Sequence, residues 1–246
     1  MRASSQTEKM GGWRVFENAE AVAEHAADWL CAVTRSCEHD FAICLSGGST
    51  PKRFYQCLAS EPFVSRFPWN RSHWYWGDER FVPHDHPDSN YRMAFDALFS
   101  RVPVSEDRIH PIPTEGLTPE QSAVAYQTLL RSSYEEERLD QNRPLFDVTL
   151  LGVGENGHTA SLFPGSVALQ EQRRWVLPIV GAGREPRITL TYPALNSSRK
   201  VAFLVVGANK KDVLAKIRTG DREMPAARIQ PVGDLLWFVD QAAMSG

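Results

Sequence analysis

The chain has 246 residues, of which 27 are Lys or Arg and 30 are Asp or Glu, giving a formal net charge of -3. Without a basic excess there is no electrostatic drive for nonspecific nucleic-acid binding, so nucleic acid is not an expected partner. No apolar run approaches the roughly 18 residues of a transmembrane helix, and the polar start MRASSQTEKMGG lacks the apolar segment of a signal peptide. The four cysteines form no CxxC pair, which is typical of thiols in a reducing compartment. We therefore expect a cytoplasmic protein with no membrane partner.

The first half of the chain alternates helical patterns with short apolar runs. Residues 1–12 are expected to form a disordered polar tail. Apolar residues at helical spacing then predict a helix over 19–33, with Asn18 as its N-cap. The apolar run 41–45 predicts a strand that is covered on both faces. The next predicted elements are a helix with Pro51 in its first turn, a strand over 73–76 and a helix over 89–99.

The second half repeats this alternation. Thr118-Pro-Glu-Gln121 is a capping box that opens a helix toward Arg138, and residues 146–151 form a strand. Strands alternating with helices predict a three-layer α/β fold, in which a mostly parallel sheet carries helices on both faces. We expect residues 13–246 to form a single domain. The remaining predicted elements are strands over 175–180, 187–191, 200–206 and 235–239, with a helix over 209–218.

Three polar loops, at residues 46–50, 77–92 and 152–166, follow the ends of predicted strands. In an open parallel sheet, ligands bind outside the carboxyl ends of the strands. The three loops should therefore converge at one end of the sheet and form the active site.

The first loop favours an anion. It is a run of small and hydroxyl residues between a strand and a helix N-terminus, where N–H groups and hydroxyls can bind a phosphate. A tight turn with a Ser or Thr N-cap is the alternative reading of the loop alone. The candidate substrate-binding residues are Ser46, Gly47, Gly48, Ser49 and Thr50.

The second loop places two carboxylates and a guanidinium at a strand end, in Gly77-Asp-Glu-Arg80. The planar fork of Arg80 suits phosphate oxygens, and a carboxylate such as Asp78 could orient it. A surface ion-pair cluster is the alternative. Downstream, His84-Asp-His86 has no third ligand at a metal-binding spacing, so we predict a solvated loop there rather than a metal site.

The third loop contains a literal GxGxxG, residues 152–157, followed by His158. The dinucleotide-binding reading fails because no acidic residue ends a next strand about 20 positions on. A histidine among glycines at a strand end suits general-base catalysis, and a structural histidine is the alternative. Further along the chain, Arg187 and Lys210 are candidate phosphate ligands.

Six short stretches, spread over most of the chain from residue 41 to 240, carry a family resemblance: LSGGSTP (45–51), WGDERFVP (76–83), DSNYRMAFDALF (88–99), LLGVGENGHTASLFPG (150–165), RITLTYPALN (187–196) and VGANK (206–210). They resemble the 6-phosphogluconolactonases of the glucosamine-6-phosphate isomerase/6-phosphogluconolactonase family. GDER and GHTASLFPG distinguish these from the related glucosamine-6-phosphate deaminases, which share the fold and the GGST-type loop.

The resemblance implies the sugar-phosphate isomerase/deaminase fold, no metal or other cofactor, and a monomer that acts on a small-molecule phosphosugar lactone. The implied reaction is hydrolysis of 6-phospho-D-glucono-1,5-lactone to 6-phosphogluconate in the oxidative branch of the pentose phosphate pathway. His158 would take a proton from the attacking water, and N–H groups of the glycine loop would stabilise the oxyanion. Arg80 and Lys210 would hold the 6-phosphate, with Arg187 as a further candidate. Whether the 46–50 loop holds it instead stays open.

One residue departs from the family pattern. The family usually has aspartate two residues before the histidine, where this chain has Asn156. Asparagine can orient an imidazole but cannot stabilise imidazolium with a charge. Either Asp78 or Glu79 supplies that charge, or the base is weaker, or Asn156 contacts substrate. The predicted catalytic residues are His158, Asn156 and Asp78. We therefore expect slower lactonase activity, and the alternatives are a deaminase-like enzyme and a non-catalytic sugar-phosphate sensor.

Overall fold

The computed structural model describes residues 12–181 and 185–244, so residues 1–11 of the tail predicted over residues 1–12 lie outside the described part of the chain. The strands and helices alternate along most of the chain. They are β1 (Trp13–Phe16), α1 (Ala19–Arg35), β2 (Phe41–Leu45), α2 (Ser49–Leu58), β3 (Ser72–Trp76), β4 (Asp78–Arg80), α3 (Asn90–Ala97), β5 (Ile109–His110), α4 (Pro119–Tyr134), β6 (Phe146–Leu151), β7 (Val176–Ile179), β8 (Arg187–Leu190), α5 (Tyr192–Asn196), β9 (Ser198–Val205), α6 (Lys211–Arg218), β10 (Asp234–Asp240) and α7 (Gln241–Met244).

Two sheets organise the fold. The larger sheet has seven strands in the order β1-β10-β9-β6-β2-β3-β5, and all its pairs are parallel. The smaller sheet, β4-β8-β7, is antiparallel. All six residues of the central strand β6 are buried, as expected for a parallel strand covered on both faces.

The chain order explains the helical layers. The connections from β1 to β2, β2 to β3 and β3 to β5 all move toward the β5 edge. Right-handed crossovers therefore place α1, α2 and α3 on one face, and these helices contact one another in sequence. The connections from β5 to β6 and from β9 to β10 move the other way, which places α4 and α6 on the opposite face. Within residues 12–181 and 185–244, no helix has the length and apolar character needed to cross a lipid bilayer.

This topology also fixes where a ligand can bind. Neighbouring strands β2 and β6 send the chain in opposite directions, β2 toward the β5 edge and β6 toward the β1 edge. A crevice opens at such a switch point, outside the carboxyl ends of the two strands. The loops that follow β2 and β6 contain Gly48 and His158 respectively.

The predicted three-layer, mostly parallel α/β architecture is confirmed, including the N-cap Asn18 and the capping box at Thr118. The strands predicted over 175–180 and 187–191 are present as β7 and β8, which pair antiparallel with each other in the smaller sheet. The predicted loop 77–92 also contains a strand, β4. Short elements β1, β5 and α5 gave no periodic signal, because too few of their residues repeat a pattern.

Two histidines join the edge strand β5 to β3. The Nδ1 of His73 lies 2.9 Å from the Nε2 of His110, and Arg108 lies 2.9 Å from the Nε2 of His73. Burial, followed by the neighbouring His73, lowers the pKa of His110 to about 4. The folded edge is thus built around a neutral His110.

The low pKa of His110 predicts a loss of stability in mild acid. Unfolded histidine has a pKa of about 6.5, so between about pH 6.5 and 4 the unfolded chain binds the extra proton. The free energy of unfolding should fall as pH drops through this window. Replacing His110 by Gln should reduce that fall by about 1 kcal/mol or more. Urea unfolding of both proteins at pH 7.5 and pH 5 measures the difference, and equal pH dependence of the two would contradict the prediction.

Candidate active site

A cavity of about 190 Å³ lies at the switch point between β2 and β6. It is lined by every predicted substrate-binding residue and by two of the three predicted catalytic residues. The third, Asn156, contacts the cavity residue His158 directly. The predicted residues that line the cavity are Ser46, Gly47, Gly48, Ser49, Thr50, Asp78, Arg80, His158, Arg187 and Lys210.

A larger open groove of about 1220 Å³ lies near the amino ends of β9 and β10, between Arg131, Trp175 and Pro231. It is the less suitable active site despite its size. Ligands of open parallel sheets bind at the carboxyl ends, and only the smaller cavity joins a histidine at a strand end to several converging cations.

The glycine-rich loop is fixed at the end of β2 by a buried tyrosine. The hydroxyl of Tyr55 accepts a hydrogen bond from the Ser46 N–H at 3.0 Å and donates to the Ser46 carbonyl at 2.8 Å. Gly48 then turns the chain into α2 with a φ of 107°, which favours glycine. The N-terminus of α2, whose dipole favours anions, therefore lies against the cavity.

Gly77 joins the two sheets and directs β4 across the cavity. Its N–H donates to the Leu45 carbonyl of the parallel sheet, and its carbonyl accepts from the Leu190 N–H of the antiparallel sheet, both at 2.8 Å. In the β4–β8 pair, Arg80 lies opposite Arg187. Because alternate residues share a face, Asp78 lies on the same face as Arg80. Two cations and one carboxylate thus face the cavity together.

Asp78 is a buried carboxylate beneath these arginines. Its Oδ2 accepts a 2.6 Å hydrogen bond from the Ser161 hydroxyl and lies 4.0 Å from a guanidinium nitrogen of Arg187. Asn90 donates to the Asp78 carbonyl at 2.9 Å. Burial raises the pKa of Asp78, while Ser161 and then the arginines act to lower it. Removing the arginines would therefore favour the protonated acid.

Glu79 points to the other face of β4 and organises the start of α3. Its carboxylate accepts from the N–H groups of Arg80, Asn90 and Tyr91 at 2.7 to 2.8 Å, and from the hydroxyl of Ser89 at 3.1 Å. Burial raises the pKa of Glu79. With these four donors at its carboxylate, Glu79 is a structural anchor. This argues against the reading in which it supplies charge to His158.

His158 is oriented by Asn156 and by the glycine backbone. The Nδ1 of His158 lies 2.6 Å from the Asn156 Oδ1. An amide oxygen only accepts, so the ring proton is on Nδ1 and the basic lone pair is on Nε2. A Cβ on Gly154 would lie 2.0 Å from the imidazole, so the ring fits only because residue 154 has no side chain.

The residues after His158 connect it to the arginine side of the cavity. The ring of Phe163 lies 4.7 Å from the imidazole, and the guanidinium of Arg187 lies over the same ring at 5.6 Å. Ser161 binds both Asp78 and the hydroxyl of Thr189 in β8. The segment Thr159–Phe163 therefore fixes His158 relative to the cations.

Lys210 is held at the cavity by the end of β10. The buried carboxylate of Asp240 accepts from the Gly207 N–H at 3.0 Å, and Gly207 turns with a φ of 100°. The side chain of Asn209 donates to Glu155 at 2.6 Å, which ties this turn to the loop that contains His158.

No function was predicted from the sequence for Asn90, Ser161, Phe163 or Asp240. The first three residues lie in the motifs DSNY and GHTASLFPG, which indicated that these segments matter. The roles of the individual residues depend on contacts that only the structure shows. No sequence pattern indicated a role for Asp240. The His84 imidazole contacts the Ile112 carbonyl rather than a cluster of ligands.

Comparisons with known proteins identify the family. The family model described as "Glucosamine-6-phosphate isomerases/6-phosphogluconolactonase" matches residues 17–237. A relative from Synechocystis sp. named 6-phosphogluconolactonase is 44% identical over 204 residues, covering 82% of this chain and 82% of that protein. The chain therefore belongs to the glucosamine-6-phosphate isomerase/6-phosphogluconolactonase family.

Solved structures agree with this assignment. The 6-phosphogluconolactonase of Thermotoga maritima is 30% identical, with a TM-score of 0.80 over 94% of this chain and 100% of that chain. A monomeric glucosamine-6-phosphate deaminase is 19% identical, also with a TM-score of 0.80, over 96% of this chain and 99% of that chain. The second likeness shows the fold alone. The sugar-phosphate isomerase/deaminase fold is thus confirmed.

The contacts of Glu79 predict that it stabilises the fold. Replacing Glu79 by Ala leaves three backbone N–H groups and a hydroxyl without their acceptor. We expect the free energy of unfolding to fall by about 2–4 kcal/mol. Denaturant unfolding measures the change, with the exposed Glu136→Ala as the control. If both variants changed by less than about 0.5 kcal/mol, Glu79 would not be an anchor.

Proposed function

We propose that this chain hydrolyses 6-phospho-D-glucono-1,5-lactone to 6-phosphogluconate, the lactone-opening step of the oxidative pentose phosphate pathway. The observation that carries the proposal is the convergence of a strand-end histidine with three cationic side chains in one small cavity. A base beside a phosphate-binding cluster suits a substrate that carries a carbonyl at one end and a phosphate at the other. The histidine is His158, and the cations are Arg80, Arg187 and Lys210.

His158 acts as the general base. Its Nε2 takes a proton from a water molecule as the water oxygen attacks the C1 carbonyl of the lactone. The tetrahedral intermediate then collapses, the bond between C1 and the ring oxygen breaks, and the departing oxygen takes the proton back from imidazolium. The products are a C1 carboxylic acid, which ionises at neutral pH, and a free hydroxyl. Proton transfer of this kind typically contributes about 10²–10⁴-fold in rate.

The intermediate carries a negative charge on the former carbonyl oxygen. We assign its stabilisation to backbone N–H groups of the glycine-rich loops, where no side chain shields the backbone from the cavity. N–H groups held in place before reaction cost no reorganisation when the charge develops.

The 6-phosphate binds to the cationic side of the cavity. Arg80 and Arg187, opposite each other in the β4–β8 pair, offer planar forks for phosphate oxygens, and Lys210 adds a third positive charge. The N-terminus of α2 adds Ser49 and Thr50 to this phosphate site. Binding energy from the phosphate would position the lactone against His158.

Asp78 and Asn156 have different roles in this account. Asp78 lies 4.0 Å from Arg187, so its carboxyl group orients the guanidinium. Asn156 orients His158 through Nδ1 but contributes no charge, so imidazolium is less stabilised than it would be beside a carboxylate. The base works, but at a reduced rate.

We further propose that the enzyme is a cytoplasmic monomer with no nucleic-acid partner. The net charge of -3 gives no general attraction to nucleic acid. The four cysteines are free thiols, which suits a reducing compartment. The deaminase alternative is not favoured, because the named relative of 44% identity is a lactonase.

Hydrolysis of freshly generated 6-phosphogluconolactone tests the proposal. Proton release should exceed the spontaneous background for the wild type, and His158→Ala should lower kcat by at least about 100-fold. The variant should still bind 6-phosphogluconate, since the cationic side chains are intact. Replacement of the exposed His25 on α1 by Ala is the control and should not alter kcat. A wild type that matches the background would overturn the enzymatic function, and tight product binding would then indicate a sensor.

Asn156→Asp should raise the turnover rate at pH 7 several-fold. A carboxylate at this position would accept the Nδ1 proton and stabilise imidazolium, which also moves the pH-rate profile of His158 toward higher pKa. The rate is measured by proton release between pH 5.5 and 8, with Asn142→Asp as an exposed control. An unchanged or lower rate would contradict the proposal that Asn156 limits general-base catalysis by His158.

A further inference from the structure

A second cluster of reactive side chains lies at the opposite end of the sheet from the active site. Cys37, His39 and Asp147 each offer a ligand atom, and these three atoms all lie within 4.8 Å of one another. Asp147 is the second residue of β6, whereas His158 follows the other end of that strand. At roughly 3.3 Å per residue, the two sites are separated by about the length of β6, on the order of 20 Å.

The fold holds the three side chains together. The Oδ2 of the buried Asp147 accepts from the Ala42 N–H at 2.9 Å, which leaves Oδ1 facing His39 at 3.0 Å. Arg71 donates to the carbonyls of Cys37 and His39 at 2.9 and 2.8 Å. The segment between α1 and β2 is therefore fixed with its thiol and imidazole toward the carboxylate.

We propose that these three residues form a binding site for a thiophilic divalent cation of the zinc class. Zinc binds sulfur at about 2.3 Å and nitrogen or oxygen at about 2.0–2.2 Å, so ligand atoms in a tetrahedral site lie about 3.5 Å apart. Atoms within 4.8 Å reach this spacing by shifts of about 1 Å. Binding would displace the thiol proton of Cys37 into solvent, and water would complete the coordination.

The combined charge of the Cys37 thiolate and the Asp147 carboxylate suits a dication that binds beside cationic side chains. A thiolate and a carboxylate neutralise the two positive charges, which matters because Arg71 and Arg199 lie nearby. Hard cations such as Mg²⁺ prefer all-oxygen ligands and would not be favoured.

Arg199 is the competitor for this site. Its Nε lies 3.1 Å from the Asp147 Oδ1, the atom that also faces His39. The side chain of Arg199 is 48% exposed, so it can move into solvent when a cation binds. Removing the guanidinium should therefore strengthen metal binding, an effect that nonspecific binding to a surface thiol would not show.

Titration of the full-length protein with Co²⁺ under reducing, anaerobic conditions tests the site directly. The probe is the metal alone, and the signals are a thiolate-to-cobalt charge-transfer band and intense d–d bands from tetrahedral coordination. Competition by Zn²⁺ gives its Kd. We expect wild-type protein to show the bands, Cys37→Ser to lose the charge-transfer band, and His39→Gln to weaken binding at least about tenfold. Arg199→Gln should tighten it severalfold.

Cys57→Ser provides the matched control, because Cys57 is the other partly exposed thiol among the described residues and lies outside the cluster. This variant should keep the bands. A charge-transfer band that survives Cys37→Ser, or the absence of any band in the wild type, would overturn the proposal. Equal affinities in wild type and Arg199→Gln would also contradict it, and circular dichroism confirms that each variant is folded.

Discussion

The juxtaposition of two guanidinium groups over a buried carboxylate is the constraint on which the active site depends. Arg80 and Arg187 lie opposite each other in an antiparallel pair, where like charges repel. The single carboxyl group of Asp78, 4.0 Å from Arg187, can offset only part of this repulsion. The site therefore retains a net positive charge at the mouth of a cavity. In the proposed function, this charge attracts a dianionic phosphate ester and holds it in one orientation.

Much of the surrounding structure serves to maintain this arrangement. Gly77 forms hydrogen bonds with both the parallel and the antiparallel sheet and so holds β4 at the carboxyl end of β2. Glu79 fixes the outer face of β4 to the start of α3. Ser161 and Phe163 connect Asp78 and Arg187 to the segment that begins with His158. The proposed base and the proposed phosphate ligands are thus connected to one another, although they come from distant parts of the chain.

The sequence predicted the long elements and the loops but not the contacts between loops. The apolar run 41–45 and the capping box at Thr118 are local signals that need no tertiary context, and both predictions were confirmed. The three-residue strand β4 could not be predicted, because its residues Asp78, Glu79 and Arg80 are charged and are strand-like only through pairing with β8. The anchoring roles of Glu79 and Asp240 arise from hydrogen bonds to remote backbone, which no sequence pattern reports.

We infer that the paired arginines Arg80 and Arg187 select the phosphate of the substrate rather than its sugar. Calorimetric titration of wild type, Arg80→Gln and Arg187→Gln with 6-phosphogluconate and with gluconate separates the two contributions. Each variant should raise the Kd for 6-phosphogluconate at least about tenfold, equivalent to about 1.4 kcal/mol, and should leave gluconate binding unchanged. Unchanged binding of 6-phosphogluconate, or an equal loss for both ligands, would contradict this inference.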